Sequence, residues 1–237
     1  MKKFELTSEF VTFLGKKLFR IKALISFRNV EEGELGGYVE KEENLSNDGN
    51  AWVSGDAMVS GNARVCGNAR VYGNAEVYGN AEVYGDAEVC GNAWVYGDAE
   101  VYGDAEVCGD ARVCGDARVC GDAEVCGNAR VYGNAEVYGN AEVYGNARVY
   151  GDAEVCGNAR VYGDADYATV HGFGSEYRTT TFFRTKAGEI GVRCGCFYGT
   201  LEEFRAKIKE THGETKTAKE YLMVADLMEF RFSKEEA

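Results

Sequence analysis

Gly73-Asn74-Ala75-Glu76-Val77-Tyr78 is one of twenty consecutive hexads that run from Gly49 to Ala168. Glycine opens every hexad without a skip, and alanine fills the third position in all twenty. Valine fills the fifth in all but the last, where Tyr167 stands. The Ala-x-Val-Tyr portion alternates small apolar with variable residues, the two-residue period of a strand whose Ala and Val share one face. Gly-Asn or Gly-Asp then supplies residue types that tolerate the positive φ of a tight corner. One hexad is therefore one short strand and one corner. A strand this short cannot bury its apolar face alone, so the hexads must stack on one another.

The pattern G-[ND]-A-x-V-[YC] resembles the hexapeptide-repeat superfamily, and its GNAxVY form is similar to a bacterial and prophage branch labelled polymer-forming or putative transferase. The resemblance implies an all-β solenoid: a single-stranded, left-handed parallel β-helix with three hexads per triangular coil. The left hand rests on the resemblance, because ordinary crossover connections favour the right hand. Twenty hexads then make roughly 6.7 coils, a rod of about 32 Å at the ~4.8 Å spacing between strands. Its two ends expose unpaired strand edges that need covering.

The flanks suit that task, giving an N-terminal β cap over 1–48, the β-helix over 49–168 and a C-terminal α+β cap over 169–237. In the first, Glu9 to Leu14 and Leu18 to Leu24 read as a hairpin around Gly15-Lys16-Lys17, and Gly36-Gly37 with the imperfect hexad at Glu43-Asn44-Leu45 leads into the first coil. In the last, Thr179 to Thr185 and Glu189 to Cys194 read as a second hairpin. Thr200-Leu201-Glu202-Glu203 has the form of a capping box opening a helix that stops near His212-Gly213, with a second helix over Ala218 to Met228.

The formal charge of −13 is concentrated in the repeat. Residues 1–48 carry eight Lys/Arg against nine Asp/Glu, residues 49–168 seven against nineteen, and residues 169–237 eleven against eleven. An acidic rod disfavours direct nucleic-acid binding and attracts basic partners. The opening MKKFELTSEFVTFLG lacks an apolar run of signal-peptide length, and no stretch approaches 18 apolar residues, so a cytoplasmic protein with no membrane segment is expected. Nine cysteines, seven of them in one repeat position shared with Tyr, read as unpaired thiols in a reducing compartment.

Three hexads per coil place residues 18 apart above one another and sort the outward positions into three faces. The first carries a carboxylate column of Asp86, Glu88, Asp104, Glu106, Asp122 and Glu124, with Cys90, Cys108 and Cys126 beside it. Those thiols fall near the separation a disulfide needs, and oxidation or soft-metal binding stands against a plain solvated Tyr/Cys ladder. The third face is mixed. The second is the one basic, aromatic stripe: Met58, Glu76, Trp94, Arg112, Arg130, Arg148 and Asp166, flanked by Tyr78, Tyr96, Cys114, Tyr132 and Tyr150. Stacked like charges repel, so this column needs a partner or counter-charge. Trp94, Tyr96, Arg112, Arg130, Tyr132, Arg148 and Tyr150 are accordingly the candidate binding residues, for a protein or an anionic ligand, or for another copy in a homo-oligomer.

Acyl transfer, which the resemblance raises, needs a histidine base near a loop extruded from the coil. The twenty hexads contain neither, and the two histidines, His171 and His212, lie beyond them. Cys194-Gly195-Cys196 has no second cysteine pair at zinc spacing. The carboxylate column could hold a hard cation or serve as a solvated face. No catalytic residue, metal site or cofactor is assigned. The favoured function is a non-catalytic binding or scaffold protein, with a hexapeptide acyltransferase, or an acidic nucleic-acid mimic of phage origin that blocks a basic DNA-binding protein, as alternatives.

Overall fold

A computed structural model of the chain describes residues 2–174 and 176–233, so the outer limits of both flanking segments at 1 and 237 lie outside the described residues. An N-terminal hairpin, β1 (Phe4–Phe13) and β2 (Lys16–Ala23), is followed by β3 (Leu35–Val39). Nineteen short strands then run from β4 (Trp52–Val53) to β22 (Arg160–Val161). The chain closes with β23 (Tyr167–Val170), β24 (Thr180–Arg184), β25 (Ile190–Cys194), β26 (Phe197–Thr200) and helices α1 (Leu201–His212) and α2 (Lys216–Phe232).

Successive hexads fall on three different parallel sheets, and the fourth returns to the first. The register is 18 residues throughout, as in Glu88↔Glu106, Trp94↔Arg112 and Glu100↔Arg118. The chain thus winds just over six coils of a β-solenoid. From Ala51 to Val161 every repeat Ala and Val is fully buried, forming a continuous core in which no large side chain fits. The corner glycines take positive φ, and asparagines at the corners form amide ladders along the axis, as Asn74 Nδ2 donates to Asn92 Oδ1 at 3.0 Å.

The repeat predicts one strand too many. Gly163 to Ala168 leaves the solenoid: Asp166 turns back to accept hydrogen bonds from the Tyr162 and Gly163 amides, both at 3.0 Å. Tyr167 and Ala168 instead pair antiparallel with Phe183 and Phe182. A tyrosine cannot occupy a slot shaped for valine, and Asp166 is committed to that turn and to Arg184 at 3.5 Å. The second-face column therefore ends at Arg148, and Asp166 does not extend it.

Each end is closed by groups complementary to its backbone edge. Within the rod, amides at the outward positions donate to carbonyls of the next coil, as Trp52 N does to Ala69 O and Asn50 N to Gly67 O. The leading edge therefore presents carbonyls with no preceding coil. Lys3 Nζ serves Gly49 O and Ala51 O at 3.4 and 2.8 Å, while Asn44 Nδ2 serves Gly61 O and Ala63 O at 3.1 and 2.7 Å. Backbone amides of Tyr38, Glu40 and Ser46 serve Ala57, Val59 and Val65. The trailing edge presents amides, and acceptors meet them: Asp164 for Arg148 N, Thr181 Oγ1 for Glu154 N and Tyr198 Oη for Asn158 N. These contacts give the named edge groups the partners that buried backbone requires.

The two expected hairpins and the capping box at Thr200 are present, the last with Glu203 N donating to Thr200 Oγ1 at 3.2 Å and Thr200 N to the Glu203 carboxylate at 2.7 Å. Helix α2 runs longer than its apolar pattern suggests, to Phe232. Among the described residues no helix is long and apolar enough to cross a membrane.

Candidate binding face

The three arginines come together as the 18-residue spacing requires. Arg112, Arg130 and Arg148 sit on consecutive strands of the sheet that also carries the N-terminal hairpin. Trp94 lies one coil above, and the Arg112 guanidinium stacks over its indole at 4.4 Å. Arg130 and Arg148 are exposed and make no ion pair, ring contact or side-chain hydrogen bond with any described residue.

The tyrosines beside them form two stacked pairs rather than one ladder. Tyr78 and Tyr96 stack at 5.0 Å, and Tyr132 and Tyr150 at 5.4 Å. Cys114 replaces a tyrosine between the pairs, and the missing ring leaves a shallow groove of about 290 Å³ lined by Tyr96, Arg112, Cys114, Arg130, Tyr132 and Arg148. The Cys114 thiol beside the Tyr96 hydroxyl, with burial, pushes the tyrosine's pKa up to about 12. Tyr96 is therefore a neutral, fixed wall at physiological pH. Phe13 of the hairpin packs on Tyr78 at 6.1 Å and Tyr167 packs on Tyr150 at 6.4 Å, closing the stripe at both ends.

On the first face, partners meet the glutamates toward the two ends of the carboxylate column. Arg70 pairs with Glu88 at 3.2 Å and Tyr72 Oη donates to it at 2.9 Å. Glu142 receives Lys186, reaching across from the C-terminal segment at 2.8 Å, and Arg160 at 2.9 Å, and Lys186 above all holds its carboxyl below the usual range. Tyr144 Oη donates to Glu124. Glu106 has no such partner among the described residues; burial, then Glu124 and Glu88, pushes its carboxyl up. At the adjoining corner the amide ladder runs from Asn50 to Asn68, and the aspartates that follow, Asp86, Asp104 and Asp122, cannot form rungs with one another, since a carboxylate has no hydrogen to donate. On the third face Arg118 lies between Glu100 and Glu136, and Arg193 of the C-terminal segment pairs with Glu154 at 2.7 Å.

One expectation about the thiols fails. Cys108 and Cys126 are joined in a disulfide, their Cα atoms 4.6 Å apart across adjacent coils, while seven cysteines are free. The parallel pairing of their strands holds the two Cβ atoms side by side, which makes the bond available without moving the backbone. The 18-residue spacing signals the proximity, but not the oxidation state.

Outside the solenoid, Cys194, Cys196 and His212 line a common cavity of about 270 Å³ with Phe197, Phe204 and Tyr221, a grouping that sequence order does not reveal. His212 stacks on Tyr221 at 5.8 Å and His171 is hydrogen-bonded to Thr179 at 3.0 Å, so neither faces the arginine groove.

Three stretches of the repeat resemble a described repeat family. Residues 51–67, 63–79 and 123–139 match the model for the YdcK β-solenoid repeat, and each match spans about one coil of the observed register. This is a β-solenoid repeat protein. No curated protein matches the chain. Within the solenoid, the segment 123–139 contains Arg130 and Tyr132, so the groove stands on the repeat itself and not on an insertion.

Proposed function

We propose that the solenoid is a non-catalytic binding scaffold whose Arg–Tyr groove takes an anionic group on a partner protein. The observation that carries this reading is the alignment of Arg130 and Arg148 along a groove, exposed and without an anionic partner among the described residues, on a rod that carries nineteen acidic residues. Elsewhere on the rod the arginines at 70, 118 and 160 each have a glutamate within 4.0 Å, while Arg64 stands alone and outside any such column. Two neighbouring guanidinium groups about 5 Å apart repel one another and contribute little to stability, whereas their planar donor forks suit carboxylates and phosphates. The flat tyrosine walls add stacking area at low entropic cost. The groove offers no histidine or carboxylate for proton transfer, which favours binding over turnover.

The test replaces Arg112, Arg130 and Arg148 together by Gln. Thermal stability stays level or rises, because repulsion is removed and only the Trp94 stack is lost. Binding of a fluorescent oligoglutamate peptide, read by anisotropy, weakens by at least about tenfold, since charge-assisted hydrogen bonds are each worth about 1.5–3 kcal/mol. A clear fall in melting temperature with peptide binding unchanged would show that the arginines serve the rod and not a partner.

A further inference from the structure

On the first face Cys108, Cys126 and Glu106 converge. One carboxylate oxygen and two sulfurs lie within 4.8 Å of one another, and among the described residues no other three such ligand groups do. The convergence follows from the repeat. Fourth and sixth positions of one strand point to the same side, which brings Glu106 and Cys108 together, and Cys126 stands directly one coil on.

A second, independent observation concerns charge. Partners of the first-face glutamates run inward from both ends, Arg70 and Tyr72 on Glu88, Lys186 and Arg160 on Glu142, and the Tyr144 hydroxyl on Glu124. They stop at Glu106, which among the described residues has neither a cation nor a hydroxyl partner. Neither Glu106 nor Glu124, whose partner is a hydroxyl, meets a cation among the described residues, and these are the two positions beside the adjacent sulfurs.

We infer that Cys108, Cys126 and Glu106 form a zinc site that is open when the two cysteines are reduced and closed when they are joined. Thiolate sulfur with one carboxylate oxygen suits zinc and disfavours calcium or magnesium, which prefer oxygen alone. A solvent molecule completes four-coordination on the exposed side. The disulfide occupies both sulfurs and leaves only a carboxylate. A dithiol reductant breaks the S–S bond by supplying two electrons and two protons and itself becomes a disulfide; Zn²⁺ then binds with release of the two thiol protons. In the reverse direction hydrogen peroxide takes two electrons from the thiolates, the S–S bond re-forms, two protons are consumed to give two waters, and Zn²⁺ leaves.

The full chain is reduced with dithiothreitol, freed of reductant without air, and dialysed against Zn²⁺ with a weak competing chelator. One zinc per chain is expected for the reduced protein above that for the peroxide-treated protein, and Co²⁺ in its place gives a thiolate-to-cobalt charge-transfer band. The double variant Cys108→Ser with Cys126→Ser loses both signals. It retains the fold, because serine already fills the same repeat position at Ser54 and Ser60. Glu106→Gln keeps the sulfurs and weakens zinc by at least about tenfold, while Cys66→Ser with Cys156→Ser changes neither signal. Equal zinc in reduced and oxidised protein, or a cobalt–thiolate band that survives the Cys108/Cys126 double variant, overturns the proposal.

Discussion

At Gly91 the backbone has φ +69°, and a Cβ built there would lie 2.9 Å from both the amide nitrogen and the carbonyl oxygen of Gly109, one coil on. Two demands meet at this residue: a left-handed corner and a close approach between coils. The sequence shows the first through its Gly-Asn and Gly-Asp pairs, but the second exists only once the coils are stacked. Gly151 separates them, since its φ of +68° is nearly the same and nothing lies within 4 Å of its Cβ position. Gly151→Ala should cost about 1–2 kcal/mol, the penalty of the left-handed conformation alone. Gly91→Ala should cost distinctly more, because backbone has to shift at 2.9 Å. Urea denaturation of the two variants measures the difference, and equal losses would mean that coil-to-coil contact at the corners is not limiting.

Among the elements, the caps were the less legible part. The hairpins announced themselves by alternation around Gly15 and Gly188, and α1 by its capping box. Strand β3 did not, because Gly36 and Gly37 argue against a strand; yet a Cβ at either would lie 2.6 Å from a carbonyl oxygen, of Val53 and Ala57 respectively. Nor does the sequence show that Lys3, 2% exposed, spends its ammonium on the carbonyls of the first coil. Burial lowers its pKa to about 8 from 10.5, with Asp48 opposing. Between those two values the folded chain binds fewer protons at this site than the unfolded chain, so this group's contribution to stability rises with pH across that window. Lys3→Met lacks the titration and also leaves two carbonyls without their donor. The stability of wild type minus that of the variant should therefore be positive at pH 7 and larger at pH 9.5, as read from urea melts at both. Taking this difference cancels the cysteines and tyrosines that titrate in both proteins. A difference that stays flat would place the amine in solvent.

Across the whole molecule, what the sequence made legible is the periodic part: the three sheets, the core and the columns on each face all follow from an 18-residue register. What it hid is aperiodic, namely the departure of Asp166 and Tyr167, the reach of Lys186 to Glu142, and the groove left where Cys114 stands in for tyrosine. The periodicity also carries a hazard, because the leading edge presents carbonyls and the trailing edge amides of the same spacing, so one rod's tail complements another's head. Only the flanking segments prevent the match. A fragment of residues 49–162, stripped of both, should assemble end to end into fibres, with a meridional diffraction repeat of about 4.8 Å and faster growth as salt screens the acidic faces. A fragment of residues 2–162 keeps Lys3 and Asn44 on the leading edge and should not form long fibres, since its open amides find no open carbonyls. Electron microscopy of the two fragments and the full chain separates the outcomes. Fibres from the full chain, or a stable monomer of 49–162 at high salt, would show that the caps do not act by closing complementary edges.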